Sequence, residues 1–186
     1  SVPSFIWDGT LEALGDAGFR VLRFDLYGRG YSDRPDAAYT TDFYVQLTAD
    51  LLAALDVRLP VDLAGVSLGG YLAAAFTDQH PAQVRRLVML DPGPSAPAQF
   101  NSTAKFLASP VLGRYFITAF GNINWAAGQK ADFFDPAKMP ADYLTRYQTQ
   151  MRYRGFKRAQ YATLSHLASL GPGRGLLDLY ARVDAL

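Results

Sequence analysis

The chain has 186 residues, with hydrophobic residues at 49%, charged residues at 19% and a formal net charge of +1. A chain of this length buries roughly 70% of its unfolded surface, so one domain or a core with a large insertion is within reach, while disorder and electrostatically driven nucleic-acid binding find no compositional support. The absence of cysteine excludes disulfides, a thiolate nucleophile and a zinc site built on sulfur, and no apolar run reaches the roughly 20 residues of a membrane-spanning helix.

The start, Ser1-Val2-Pro3-Ser4-Phe5, has neither an initiator Met nor a signal-peptide pattern and reads as the beginning of a truncated chain, with the cytoplasm as the default compartment. From Ile6 to Ala17 the apolar residues Trp7, Leu11 and Leu14 recur at helical spacing before Gly18, which supplies a C-terminal stop. A short apolar strand is predicted over residues 21–25. It leads into Gly28-Arg29-Gly30-Tyr31-Ser32-Asp33-Arg34-Pro35, a segment dense in turn formers. A second amphipathic helix starts near Thr41, with Phe43, Leu47, Leu51 and Leu55 four residues apart.

Further strands are predicted over residues 61–66 and 86–90, separated by Ser67, a helix from Leu68 to Gln79, and the stop His80-Pro81. Short apolar strands alternating with helices predict an α/β fold with a parallel sheet flanked by helices. After Asp91 the rhythm changes: Pro92-Gly93-Pro94-Ser95-Ala96-Pro97 reads as a linker, and the residues beyond it are helical, with about half of the chain's aromatics lying between Phe100 and Tyr161. The expected organisation is a partial core over residues 1–94, a helical cap over 95–170, and a hinge and return to the core over 171–186.

The stretch that carries chemistry is Gly65-Val66-Ser67-Leu68-Gly69-Gly70, set between a predicted strand and a predicted helix. At such a turn a G-x-S-x-G pattern has a mechanical meaning: the bend forces Ser67 into strained backbone angles, and glycine at positions 65 and 69 is expected to let strand and helix pass. Ser67 then stands at the carboxyl edge of the sheet and the positive end of a helix, where the Leu68 amide is an oxyanion donor.

These residues resemble the α/β-hydrolase superfamily. The resemblance extends to Asp25-Leu26-Tyr27-Gly28-Arg29-Gly30-Tyr31-Ser32-Asp33-Arg34-Pro35, which is similar to the family's D-x-x-G-x-G-x-S-x-x-P loop, and to His80-Pro81 with Val84, Leu87 and Val88. It covers Ser1 to about Pro94. It implies that the three strands are the fourth, fifth and sixth of an eight-stranded sheet, that a second oxyanion donor belongs before Ser1, and that the usual acid and the catalytic histidine belong after Leu186.

A serine hydroxyl needs a positioned base. His80 lies a full helix, about 18 Å, from Ser67 and is expected to end that helix; His166 is expected to be solvated. Asp91 follows the last predicted strand, a position from which some members of the family supply the triad acid, with a turn-binding aspartate as the alternative. Asp25 is expected to tie down the glycine loop. Arg146, Arg152, Arg154, Lys157 and Arg158 form a basic cluster expected to be a solvated face, the alternative being attraction of an anionic substrate.

The expected function is a serine hydrolase of esterase or lipase type acting on a small molecule with an apolar acyl or aryl group, without a cofactor or metal and without a nucleic-acid partner. Alternatives are a carbon–carbon bond hydrolase for a ring-cleavage product, an aminopeptidase of the same fold, and a non-catalytic small-molecule-binding module. Serine at the elbow argues against epoxide hydrolases and haloalkane dehalogenases, which need a carboxylate nucleophile.

Overall fold

A computed structural model describes residues 2–93, 102–170 and 176–185, in two compact units. One unit comprises Ala38–Pro110 with Ala162–Leu186, the other Val2–Ala37 with Val111–Tyr161.

The first unit is built on a two-stranded parallel sheet, β1 (Val61–Val66) and β2 (Val84–Leu90), with helix α3 (Leu68–Gln79) as the crossover between them. Its register pairs Asp62 with Arg86 and Val66 with Leu90, after an irregularity at Val61 that brings Val84 into the ladder. β2 therefore starts two residues earlier than predicted. The Asp62 carboxylate accepts from Nε and Nη2 of Arg85 at 2.8 and 2.7 Å, and the Arg85 guanidinium lowers the Asp62 pKa.

Helix α3 is buried along most of its length, with Ala74 and Phe76 at 0% and 1% exposure. Three successive alanines, Ala73, Ala74 and Ala75, allow this, because small side chains let neighbouring elements approach closely. It packs on both strands, on α2 (Thr41–Ala54) and on α8 (Leu176–Asp184). Helix α2 begins where sequence predicts: the Thr40 hydroxyl accepts from the Phe43 amide at 3.2 Å, satisfying one of the unpaired first-turn donors. Arg182 on α8 donates twice to Asp78 on α3, at 2.9 and 2.8 Å.

In the second unit a 3₁₀ turn, Ser4–Trp7, runs into α1 (Asp8–Asp16). The helix stops as a Schellman motif, with Gly18 at φ 85°, its amide on the Gly15 carbonyl and the Phe19 amide on the Leu14 carbonyl. The predicted strand over residues 21–25 is not formed: the segment makes no ladder among the described residues and leaves Phe19 and Leu22 exposed. Alternating apolar residues fit a strand, but a strand exists only through hydrogen bonds to a neighbour, and this segment has none there.

The remaining helices are α4 (Ser102–Ala108), α5 (Leu112–Gly128), α6 (Tyr143–Met151) and α7 (Phe156–Ser169), whose residues from Ala162 onward group with the first unit. Tyr143, Tyr147, Met151 and Phe156 pack with Phe5 into the second unit's core, where Tyr143 meets Phe5 and Phe133 edge-on. Some of the aromatics that crowd this part of the chain thus serve packing, while Tyr115, Phe120, Phe134 and Tyr153 are exposed. The predicted linker from Pro94 onward and the predicted hinge at 171–175 lie outside the described residues.

Candidate active site

The turn at Ser67 has the geometry expected from its sequence. Ser67 has φ 52° and ψ −120°, a conformation costing a non-glycine residue about 1–3 kcal/mol. Backbone bonds on both sides hold it there: the Ser67 amide donates to the Leu90 carbonyl at 3.0 Å, and the Ser67 carbonyl accepts from Tyr71 at 3.1 Å and Gly93 at 3.2 Å. The residue is exposed, and its hydroxyl does not cap α3 although it stands at the N-cap position. A serine that neither caps its helix nor hides its side chain has a hydroxyl available for chemistry.

Leu68 is the first residue of α3, so its amide belongs to the turn whose donors have no intrahelical acceptor and which carries the helix's partial positive charge. An oxyanion on a carbonyl attacked by Ser67 Oγ would develop at that end. Gly65 is required by close approach: a Cβ there would lie 2.2 Å from the Gly69 carbonyl oxygen and 2.6 Å from the Gly70 nitrogen. Gly69, expected to relieve the same collision with its own missing side chain, does not. A Cβ on Gly69 would meet nothing within 4 Å, whereas one on Gly70 would sit 3.0 Å from the Pro92 Cβ. The strand faces the backbone of residue 69 and not its side-chain direction, so the burden falls on Gly65 and Gly70.

Asp91 follows β2 in an exposed turn with φ 41°. The Gly93 amide that a turn-binding aspartate would use is spent on the Ser67 carbonyl, so this turn braces the backbone of residue 67. His80 ends α3, its ring 4.8 Å from that of Phe76.

His166 departs from expectation. It is half-buried, and its Nε2 lies 3.0 Å from the Thr41 amide, which donates to it, and 3.0 Å from Thr41 Oγ1. Solvation was the expectation because the residue lies off the apolar face of its own helix; that side of α7 meets α2.

In the second unit Asp25 secures the glycine loop as predicted. Its carboxylate accepts from the Ser4 amide at 2.6 Å and the Tyr31 amide at 2.9 Å, while its carbonyl accepts from the Ser32 hydroxyl at 2.6 Å. A Cβ on Gly30 would fall 1.8 Å from Asp25 Oδ2. Most of the basic cluster is committed to this unit's own scaffold. Arg146 pairs with Asp8 at 2.7 Å and lies over the Phe5 ring, Lys157 donates to the Thr118 carbonyl, and Arg158 pairs with Asp36 at 2.7 Å and donates to the carbonyls of Arg34 and Pro35. The Arg146 and Arg23 guanidiniums hold the Asp8 carboxyl below the usual range.

No group of three or more His, Cys, Asp or Glu residues placed to hold a metal ion occurs among the described residues, and none of the helices searched there is long and apolar enough to cross a membrane.

Known proteins share this architecture. A 2-hydroxymuconate semialdehyde hydrolase from Pseudomonas sp. (strain CF600) is 44% identical over 72 residues, which is 38% of this chain and 25% of that protein. A non-heme chloroperoxidase from Streptomyces lividans is 31% identical over 88 residues, 47% of this chain and 32% of that protein. The crystal structure of Cfl2 from Burkholderia cenocepacia superposes with a TM-score of 0.77 at 23% identity, covering 88% of this chain and 59% of that one. The matched stretch thus spans about a quarter to a third of the curated relatives. A family model described as alpha/beta hydrolase fold matches residues 4–134, and the chain belongs to the α/β-hydrolase fold family.

Proposed function

We propose that the protein to which this chain belongs is a serine-nucleophile hydrolase that cleaves a carbon–carbon bond next to a carbonyl in a small ring-cleavage product. The observation that carries the serine chemistry is the strained, exposed Ser67 at the head of α3. The carbon–carbon substrate is supported by the likeness to the 2-hydroxymuconate semialdehyde hydrolase.

In this reading Ser67 Oγ adds to the substrate carbonyl while a base takes its proton, and the Leu68 amide donates to the oxyanion. Collapse breaks the carbon–carbon bond, the leaving carbon takes a proton, and water releases the acyl group from Ser67. Removing one oxyanion donor in a serine hydrolase costs about 3–4 kcal/mol of transition-state stabilisation. Neither His80, at the far end of α3, nor His166, engaged with Thr41, is placed to be that base; the family resemblance implies a histidine after Leu186. Asp91 is the candidate acid, and residues 95–170 are the cap.

Ester hydrolysis is the second reading, because an exposed serine with an adjacent amide donor serves any activated acyl carbon. A fluorophosphonate probe tests the nucleophile: labelling of wild type at Ser67, absent in Ser67→Ala, is expected, and equal labelling of both refutes it. Turnover of a vinylogous 1,5-diketo acid, followed by loss of its chromophore, against an aryl ester separates the two substrate classes.

A further inference from the structure

We infer that His166, Thr41 and Tyr71 form a latch that fastens the C-terminal half of α7 and the start of α2 to the nucleophile helix α3, and that it is closed only while His166 is neutral. The latch belongs entirely to the first unit. Its catalytic consequence rests on the serine reading above; its existence does not.

The chemistry fixes the proton positions. The Thr41 amide can only donate, so His166 Nε2, 3.0 Å away, must accept, and a neutral ring then carries its proton on Nδ1. Thr41 Oγ1 lies 3.0 Å from the same Nε2 and 2.8 Å from the Tyr71 hydroxyl. The bonds run in one direction when Tyr71 donates to Thr41 and Thr41 donates to His166. The hydrogen-bonded path from His166 ends at the Tyr71 hydroxyl; the same residue, one helical turn from Ser67, gives its backbone amide to the Ser67 carbonyl at 3.1 Å. A second bolt lies one turn along both helices, where Tyr44 and Thr163 hydroxyls meet at 2.9 Å.

Protonation opposes this arrangement twice. An Nε2–H would face the Thr41 amide, donor against donor, and a cation would stand at the N-terminus of α2, where the dipole repels it. The charged and titratable groups facing the histidine and its partners are Asp42 on α2, whose carboxylate favours the imidazolium and is itself bonded to Gln79 at 3.0 Å, Tyr71 on α3, and Tyr180 on α8, whose phenol is pushed up to about 12 by burial and by Tyr71. Burial outweighs Asp42 and moves His166 below its ordinary value of 6.5. The neutral form is therefore favoured by folding. The latch's contribution is whole above pH 6.5 and is lost as the pH falls through the depressed folded value.

Imidazole ¹⁵N–¹H correlation spectra of the wild-type protein, with the His166 signals assigned by their loss in His166→Gln, decide the point directly. The expected result is a neutral His166 protonated on Nδ1 with a titration midpoint below 6.5. A proton on Nε2 at pH 7.5, or a midpoint at or above 6.5, overturns the latch. His166→Gln keeps an acceptor for the Thr41 amide but cannot titrate. Its melting temperature should fall less than that of wild type between pH 7.5 and 5.5, and an equal fall also overturns the proposal. Fluorophosphonate labelling of Ser67 should lose more of its rate over that interval in wild type than in His166→Gln. Absence of labelling in both at every pH would sink the serine reading alone, with the tautomer and the melting curves still deciding the latch.

Discussion

Replacing Gly65 by alanine adds one methyl group where the structure has no room for it. The new Cβ would lie 2.2 Å from the Gly69 carbonyl oxygen, 2.3 Å from the Gly69 carbonyl carbon and 2.6 Å from the Gly70 nitrogen. All three are backbone atoms in the first turn of α3, so no side chain can swing away, and the helix start must move by about 1 Å to restore normal contact. Overpacking costs 1–3 kcal/mol in ordinary cores; a collision with backbone belongs at the upper end, about 3 kcal/mol, which lowers the melting temperature by about 6–12 °C in a protein of this size. Because the displaced turn carries Ser67 and the Leu68 amide, the labelling rate with a fluorophosphonate should fall by about two orders of magnitude, the penalty for a misplacement of that size. The paired control is Gly69→Ala, whose Cβ meets nothing within 4 Å and which should gain about 0.5–1 kcal/mol from helix propensity. Thermal melting and labelling kinetics on the two variants check the reasoning. It is refuted if Gly65→Ala melts and labels like wild type, or if Gly69→Ala is equally damaging.

Ser67→Gly relieves the positive φ at the elbow and should stabilise the fold by about 1 kcal/mol net of the added chain entropy, raising the melting temperature while abolishing labelling; a lower melting temperature would show that Ser67 is not strained. Tyr44→Phe removes the buried hydroxyl bonded to Thr163 and should cost about 1–2 kcal/mol by denaturant melting, with no loss expected if the two hydroxyls do not meet. Arg182 beside Asp78 holds that carboxyl below its ordinary 3.8, so the pair stabilises the fold above that pH and its contribution disappears as the pH falls through the depressed value. The partners are partly exposed, which limits the effect to no more than about 1 kcal/mol. Asp78→Asn should remove that part of the acid dependence in a pH series of melts, and an unchanged series would contradict the pairing.

The parts of the fold that sequence reveals are those decided locally. Pro81 and the elbow bracket α3, and its bounds fall at Leu68 and Gln79 as predicted; Gly18 ends α1 and Thr40 starts α2 for equally local reasons. Asp25 could be placed because its loop partner Tyr31 is six residues away. What sequence hides depends on distant partners. The segment over 21–25 has strand-like residues but no ladder among the described residues, and β2 gains Val84 only because Val61 lies opposite. His166 bonds a residue 125 positions earlier in the chain, so no window around it shows why it is withdrawn from water. The division of labour among the glycines was equally hidden, since the letters G-x-S-x-G-G do not say which Cα faces the passing backbone.

The near-complete enclosure of α3 also bears on how this unit can be altered. A helix that carries Ser67 at its head and simultaneously fills the middle of its unit has no idle surface on which variation is cheap. Substitutions along it will lower the melting temperature. Diversity should therefore spare Tyr71 to Thr77 and be drawn from exposed positions such as Tyr115, Phe120 and Phe134, where a poor choice sacrifices little of the scaffold.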